Sequence, residues 1–237
     1  MRFETVVLDL AGTTVKDDGL VEQSFARAYD RVLPGNPGRA AAMEHVRVTM
    51  GQSKIEVFRA LADEETAQRL NTAFEQSYAE LVDEGRCEPI PGAEKAVREL
   101  RERGLHVVFT TGFGRATADA VIAALGWQDL AEAVLTPADA GRGRPYPDLP
   151  LTALLRTRAS SVASLVVIGD TESDAASGVA AGAGLVVGVL TGGRPAESLR
   201  AAGAHEVLTS VVDLPSLIDA RSLDAGSLGA GSLGAGS

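Results

Sequence analysis

A single cysteine, Cys87, stands in 237 residues, so no disulfide can close within the chain, and a reducing cytoplasm is the expected compartment. Aromatic residues are only 4% of the total, so the core is expected to be built from Ala, Val and Leu. No apolar stretch approaches the ~20 residues that span a bilayer. The opening MRFETVVLDL has no basic segment followed by a long apolar one and does not read as a secretion signal. Positive charge is also scarce: 22 Lys and Arg against 32 Asp and Glu leave a formal net charge of −10. That argues against nucleic acid and anionic membrane surfaces as partners, since both require basic patches. An acidic protein that takes an anionic ligand must concentrate positive charge locally, through a metal ion or a few placed Arg and Lys.

What is present is a chain of one core domain plus a small insert, with 45% hydrophobic residues. Thr5–Leu10 is a short apolar run that reads as a buried strand. A helical stretch follows from about Val21 to Leu81, broken near Pro34–Gly38. Beyond Pro89, Pro91 and Gly92, helix-like and strand-like segments alternate: strands at Leu105–Thr110, Ala133–Leu135, Leu165–Gly169 and Leu185–Val189, helices at Ala93–Arg103, Arg115–Leu125, Leu149–Arg158 and Asp174–Ala181. Such alternation implies an α/β fold, with a doubly wound, mostly parallel Rossmann-like core sheet. The helical block cannot belong to that sheet and reads as an inserted α-helical cap domain. The expected division is residues 1–16 and 87–220 for the core and 17–86 for the cap. From Ala225 the chain repeats Ala-Gly-Ser-Leu-Gly, with too little apolar side chain to offset its entropy, so residues 221–237 are expected to be a disordered tail.

In an open parallel sheet, ligands bind where the carboxyl ends of the strands emerge. Asp9, Thr110–Thr111, Asp170 and, by extension beyond Leu135, Arg144 all sit at such ends. Asp9, in Asp9-Leu10-Ala11-Gly12-Thr13-Thr14, is placed to attack an electrophilic phosphorus, although a lone Asp more often caps a turn. Gly12 permits close approach of the backbone to phosphoryl oxygens, and the amides after it, Thr13 among them, are candidate donors. Asp170 and Asp174 follow a buried strand at a spacing that suits a hard cation such as magnesium, the alternative being helix N-capping by Ser173 or Asp174. Thr110, Thr111 and Gly112 offer hydroxyls and turn amides to a phosphoryl group. Arg144, in a proline-stiffened Gly143-Arg144-Pro145-Tyr146-Pro147 loop, offers a planar fork for two of its oxygens.

In this chain order the motifs resemble the haloacid dehalogenase superfamily over roughly residues 4–210. Most phosphatases of that superfamily carry a second Asp, the general acid, two residues after the first; here that position is Ala11, and Arg144 stands where a Lys is usual. Both departures, together with Thr110-Thr111-Gly112, resemble phosphonoacetaldehyde hydrolase and its phosphonatase-like relatives. So does Met50-Gly51-Gln52-Ser53-Lys54, which is similar to the cap segment whose Lys forms a Schiff base with the substrate aldehyde. The resemblance implies catalytic roles for Asp9, Lys54, Thr110 and Arg144, and substrate contacts from Gly12, Thr13, Met50, Gly51, Thr111 and Gly112. It also implies Mg2+ held by Asp9, the Ala11 carbonyl, Asp170 and Asp174, a small phosphonate or phosphate as substrate, and a homodimer through the cap. Two positions depart from that family: Val57 replaces its His and Phe113 its Tyr.

Chemistry links Ala11 to Lys54. Monoester hydrolysis expels an alkoxide that needs a general acid, which Ala11 cannot supply; losing such a group costs on the order of 10²–10⁴ in rate. Breaking a C–P bond expels a carbanion instead, and a protonated imine on Lys54 would accept that electron pair. The expected activity is therefore hydrolysis of phosphonoacetaldehyde or a related carbonyl phosphonate through an aspartyl phosphate. The alternatives are a phosphomonoesterase of the same fold, similar to phosphoglycolate phosphatase, and a non-catalytic phosphate-binding module.

Overall fold

The computed structural model describes residues 2–229. In chain order the elements are β1 (Thr5–Asp9), α1 (Leu20–Val32), α2 (Arg39–Val48), α3 (Lys54–Arg59), α4 (Glu64–Asp83), α5 (Ala93–Glu102), β2 (His106–Thr110), α6 (Arg115–Leu125), β3 (Ala133–Leu135), α7 (Pro137–Ala140), α8 (Asp148–Thr157), β4 (Leu165–Gly169), α9 (Glu172–Ala181), β5 (Leu185–Val189), α10 (Ala196–Ala201), β6 (Glu206–Leu208) and α11 (Leu214–Gly229).

The six strands form one parallel sheet in the order β3-β2-β1-β4-β5-β6. Every residue of β1, β4 and β5 is buried, as expected of strands covered on both faces. Alternate side chains feed opposite layers: Val6, Leu8, Val166 and Ile168 join one apolar cluster, Val7, Leu165 and Val167 the other. The order of strand addition reverses between β1 and β4, so Asp9 and Asp170 leave the sheet side by side at the topological switch point. The expected α/β, Rossmann-like fold class is thus the observed one.

Helices α1–α4 lie between β1 and α5 and add no strand to the sheet. The expected two-part helical stretch is in fact four helices. Gly51, at φ +83°, turns the chain before α3, and the Asp63 carboxylate accepts the Thr66 amide at 2.9 Å to start α4. The few aromatic residues are concentrated here. Phe25, Phe58, Phe74 and Tyr78 pack in tilted and edge-to-face pairs with centroid separations of 4.7–6.3 Å, and Tyr78 reaches Phe113 of the core at 4.7 Å. The Ala, Val and Leu core expected from composition describes most of the sheet layers, to which Phe109 and Trp127 add a stacked pair at 5.7 Å, whereas the helical block relies on rings, each of which buries a large area.

Four elements are not expected from the sequence: the short α7, α10 and β6, of four, six and three residues, and α11. The last helix, α11, continues to Gly229, past residue 221 where composition puts the start of the tail, and residues 230–237 lie outside the described residues. Leu214 and Ile218 on its first turns pack into the core, which anchors a helix that composition alone would not sustain. No helix among the described residues is long and apolar enough to cross a membrane.

Candidate active site

Five core loops, one after each of β1 to β5, and the 47–54 segment of the helical block line a cavity of about 300 Å3 at the carboxyl ends of the strands. Of the residues singled out from sequence, Asp9, Ala11, Met50, Gly51, Lys54, Thr111, Gly112, Arg144 and Asp170 line it. Gly12, Thr13, Thr110 and Asp174 stand behind this lining and hold it in place.

Arg144 organises the floor. Buried to 5% exposure, it donates through Nη2 to Asp9 Oδ1 at 2.7 Å and to Thr110 Oγ1 at 2.7 Å, and through Nε to Asp174 Oδ1 at 2.6 Å. Burial opposes its charge, but Asp174 and Asp9 outweigh that, and the guanidinium stays protonated. A planar fork suits this three-way arrangement, which a Lys could not reproduce. Asp174 reaches the cluster from the capping box of α9, where its Oδ2 accepts from the amide and hydroxyl of Thr171. The capping role and the place in the cluster, which sequence leaves as alternatives, are therefore held together by one side chain.

The turn after β1 is locked by its own hydrogen bonds. The amides of Gly12, Thr13 and Thr14 all donate to carbonyls within the turn, and the Thr13 hydroxyl donates to Asp170 Oδ1 at 2.9 Å. These amides are consequently engaged before any ligand arrives, and Thr13 orients Asp170 rather than facing the cavity. Gly12, at φ +86°, is required sterically: a Cβ there would collide with the Asp170 carboxylate.

Asp9, Asp170 and Asp174 each bring a carboxylate oxygen to within 4.8 Å of the others. Burial pushes Asp9 up to about 7, with Arg144 pulling it down and Asp174 pushing it further up. Burial, then Asp9 and Asp174, push Asp170 well above the usual carboxylate range. One guanidinium does not balance three buried acids. The remaining excess of negative charge, with oxygen donors only, fits a hard divalent cation.

Lys54 enters from the helical block. It is 6% exposed, its amide donates to the Gly112 carbonyl at 3.0 Å, and its Nζ lies 5.3 Å from the Phe113 ring centroid, within cation–π range. Burial pushes its ammonium down, opposed first by Asp9 and then by Asp17, with Arg144 adding to the depression. Its loop sits close on the core: a Cβ at Gly51 would strike Thr171, one at Gly112 the Gln52 carbonyl, and one at Gly143 the Ser53 side chain at 2.9 Å. Ser173 Oγ donates to the Met50 carbonyl at 3.2 Å and Arg144 Nη1 to that of Gly51 at 3.3 Å. Val57, one turn after Lys54, is buried in the apolar core and does not reach the cavity.

Sequence reasoning missed several lining residues. Asp17 lies just before α1 and accepts the Val21 amide at 2.9 Å; the Asp-Asp-Gly before an apolar-periodic run is a capping signal that would have found it. Gly192, Gly193 and Arg194 follow β5, and the strand-end rule applied to that strand would have found them. Glu22 and Arg47, at the mouth, carry no motif.

The chain carries acids at the switch point of a parallel sheet and a helical insert after the first strand, and the haloacid dehalogenase-like hydrolase family matches residues 3–182. The chain belongs to that family. Within it the chain is similar to phosphonoacetaldehyde hydrolases: it is 31% identical over 212 residues to that of Bacillus thuringiensis, covering 81% of this chain and 77% of that protein. Among solved structures it is similar to a phosphonoacetaldehyde hydrolase-like protein from Oleispira antarctica, at TM-score 0.79 and 25% identity over 95% of each chain. It is also similar to a hydrolase from Pseudomonas syringae, at TM-score 0.80 and 26% identity, covering 92% of this chain and 98% of that one.

Proposed function

We propose that the protein is a magnesium-dependent hydrolase that cleaves the C–P bond of phosphonoacetaldehyde or a related carbonyl phosphonate. The observation that carries this reading is Lys54: a buried amine, pushed toward its neutral form, lining the same cavity as Asp9 where Ala11 supplies no general acid. Helices α1–α4 act as a cap over that cavity, hinged near residues 16–19 and 85–89.

Lys54 condenses with the substrate carbonyl, releasing water and leaving an iminium one carbon from the C–P bond. An Asp9 oxygen attacks phosphorus, the C–P electron pair moves into the iminium, and an enamine departs from an aspartyl phosphate. Protonation of the enamine and hydrolysis of imine and acyl phosphate give acetaldehyde, inorganic phosphate and free enzyme. Asp9, the Ala11 carbonyl, Asp170 and Asp174 are the residues that would hold Mg2+, which when bound neutralises charge as one anion approaches another. Arg144 and Thr110 position Asp9, while Thr111 and Gly112 line the wall on which the phosphonate lies. Met50 and Gly51 close the site from the cap side.

The test is phosphate release from phosphonoacetaldehyde beside a panel of phosphate monoesters. Preference for the phosphonate supports the reading. Brisk hydrolysis of a monoester with none of the phosphonate would make the protein a phosphomonoesterase, and release from neither would leave it a binding module.

A further inference from the structure

Turning a lysine ammonium and an aldehyde into an iminium plus water demands a group that takes and returns protons beside the amine. The cavity offers few. Asp9, Asp170 and Arg144 belong to the floor cluster, bonded to Asp174, Thr13 and each other. None of His45, His106 and His205 lines the cavity. Glu22 is committed to Arg47, whose Nε reaches it at 3.0 Å at the solvent-facing mouth, and Arg47 and Arg194 are permanent cations. Asp17 remains. Its Oδ1 is occupied by the Val21 amide at 2.9 Å, while its Oδ2 has no hydrogen-bond partner among the described residues. It lines the cavity with Lys54, and it is the carboxylate that, after Asp9, most strongly favours the charged form of Lys54. Burial raises its own pKa, with the Val21 amide and Lys54 acting against, and Asp18 and Glu22 as the nearby like charges.

We infer that Asp17 is the catalytic proton carrier for imine formation at Lys54, an inference that rests on the C–P reading above. Asp17 and Lys54 face the same cavity without an ion pair between them among the described residues, so water in the cavity relays the proton from the Lys54 ammonium to the Asp17 carboxylate, and the freed amine pair forms the C–N bond as the carbonyl π pair moves to oxygen. Asp17 gives its proton to that oxygen and takes another from nitrogen, yielding the neutral carbinolamine. It then protonates the hydroxyl, which leaves as water as the nitrogen lone pair closes the C=N bond. Ammonium and aldehyde have become iminium and water, and Asp17 is again a carboxylate. Its place at the start of α1 serves this role, because one oxygen is fixed by the helix while the other stays free for the substrate.

The experiment follows the appearance of borohydride-trapped Lys54 adduct with time after mixing the full chain, loaded with magnesium, with phosphonoacetaldehyde. Wild type is compared with Asp17→Asn, which keeps the acceptor for the Val21 amide but cannot carry the proton, and with Asp17→Ser, a second capping residue without a carboxylate. The expected result is a fall of about 10²-fold or more in the rate of adduct formation in either variant, with KM and melting temperature little changed. Asp17→Glu, which restores a carboxyl group, should recover most of the rate. A variant lacking the carboxylate that traps at the wild-type rate overturns the inference and leaves the C–P reading standing. Absence of any adduct in wild type overturns both.

Discussion

The backbone amide of Lys54, first residue of α3, donates to the carbonyl of Gly112, in the loop that follows β2, at 3.0 Å. The lysine of the helical block is thereby registered against the core loop rather than left to find it.

That contact allows a test free of charge effects. Gly112 does not need a positive φ, but a Cβ on it would meet the Gln52 carbonyl. Gly112→Ala should therefore push the 50–54 loop off the core. Activity should fall tenfold or more, with a stability loss of about 1–3 kcal/mol, the usual range for overpacking. Steady-state kinetics and urea titration check this, and full activity with Ala at 112 would show the registration to be dispensable.

Arg144 should be irreplaceable by Lys. Lys keeps the charge but cannot reach Asp9, Asp174 and Thr110 at once, so Arg144→Lys should lose most activity. Arg144→Ala leaves acids buried without their cation and should cost on the order of 3–5 kcal/mol in metal-free protein, read by denaturant unfolding. Equal stability of the Ala variant would mean that the acids are balanced some other way.

The acids at the switch point also set a pH dependence. Burial holds Asp9 at about 7, and burial with Asp9 and Asp174 raises Asp170 as well. A raised folded pKa means that the folded protein keeps protons the unfolded chain releases, so stability is greatest at low pH in this window and falls as pH rises from about 4 to 7. Metal-free protein should show a falling melting temperature across that range, less steep in Asp170→Asn. Added Mg2+ at neutral pH should raise the melting temperature of wild type and do much less for Asp170→Asn. A melting temperature that climbs from pH 4 to 7 without metal would contradict the charge balance described.

Much of this architecture was legible in the sequence because it rests on local signals. Continuous apolar runs such as Val166–Ile168 mark strands buried on both faces, and a run that ends in a polar group marks the ligand edge of the sheet. Asp9, Arg144 and Asp170, separated by 161 residues from first to last, were brought together by topology alone, which a strand-end rule captures. What was not legible depends on three-dimensional bonding. Thr13 was expected to face substrate, but its hydroxyl serves Asp170; the turn amides were expected to be free, but Leu10 and Val15 carbonyls hold them. Asp17 escaped notice because a capping residue looks the same in sequence whether its second oxygen faces open solvent or a cavity.

The most direct test of the account is to add borohydride to the enzyme with phosphonoacetaldehyde and Mg2+ and to map any adduct by peptide mass. Irreversible inactivation is expected, with the reduced adduct on Lys54. Lys54→Arg, which keeps the charge but cannot form an imine, should lose both adduct and C–P cleavage. Unimpaired turnover of the phosphonate by Lys54→Arg, with no adduct in the wild type, would contradict it.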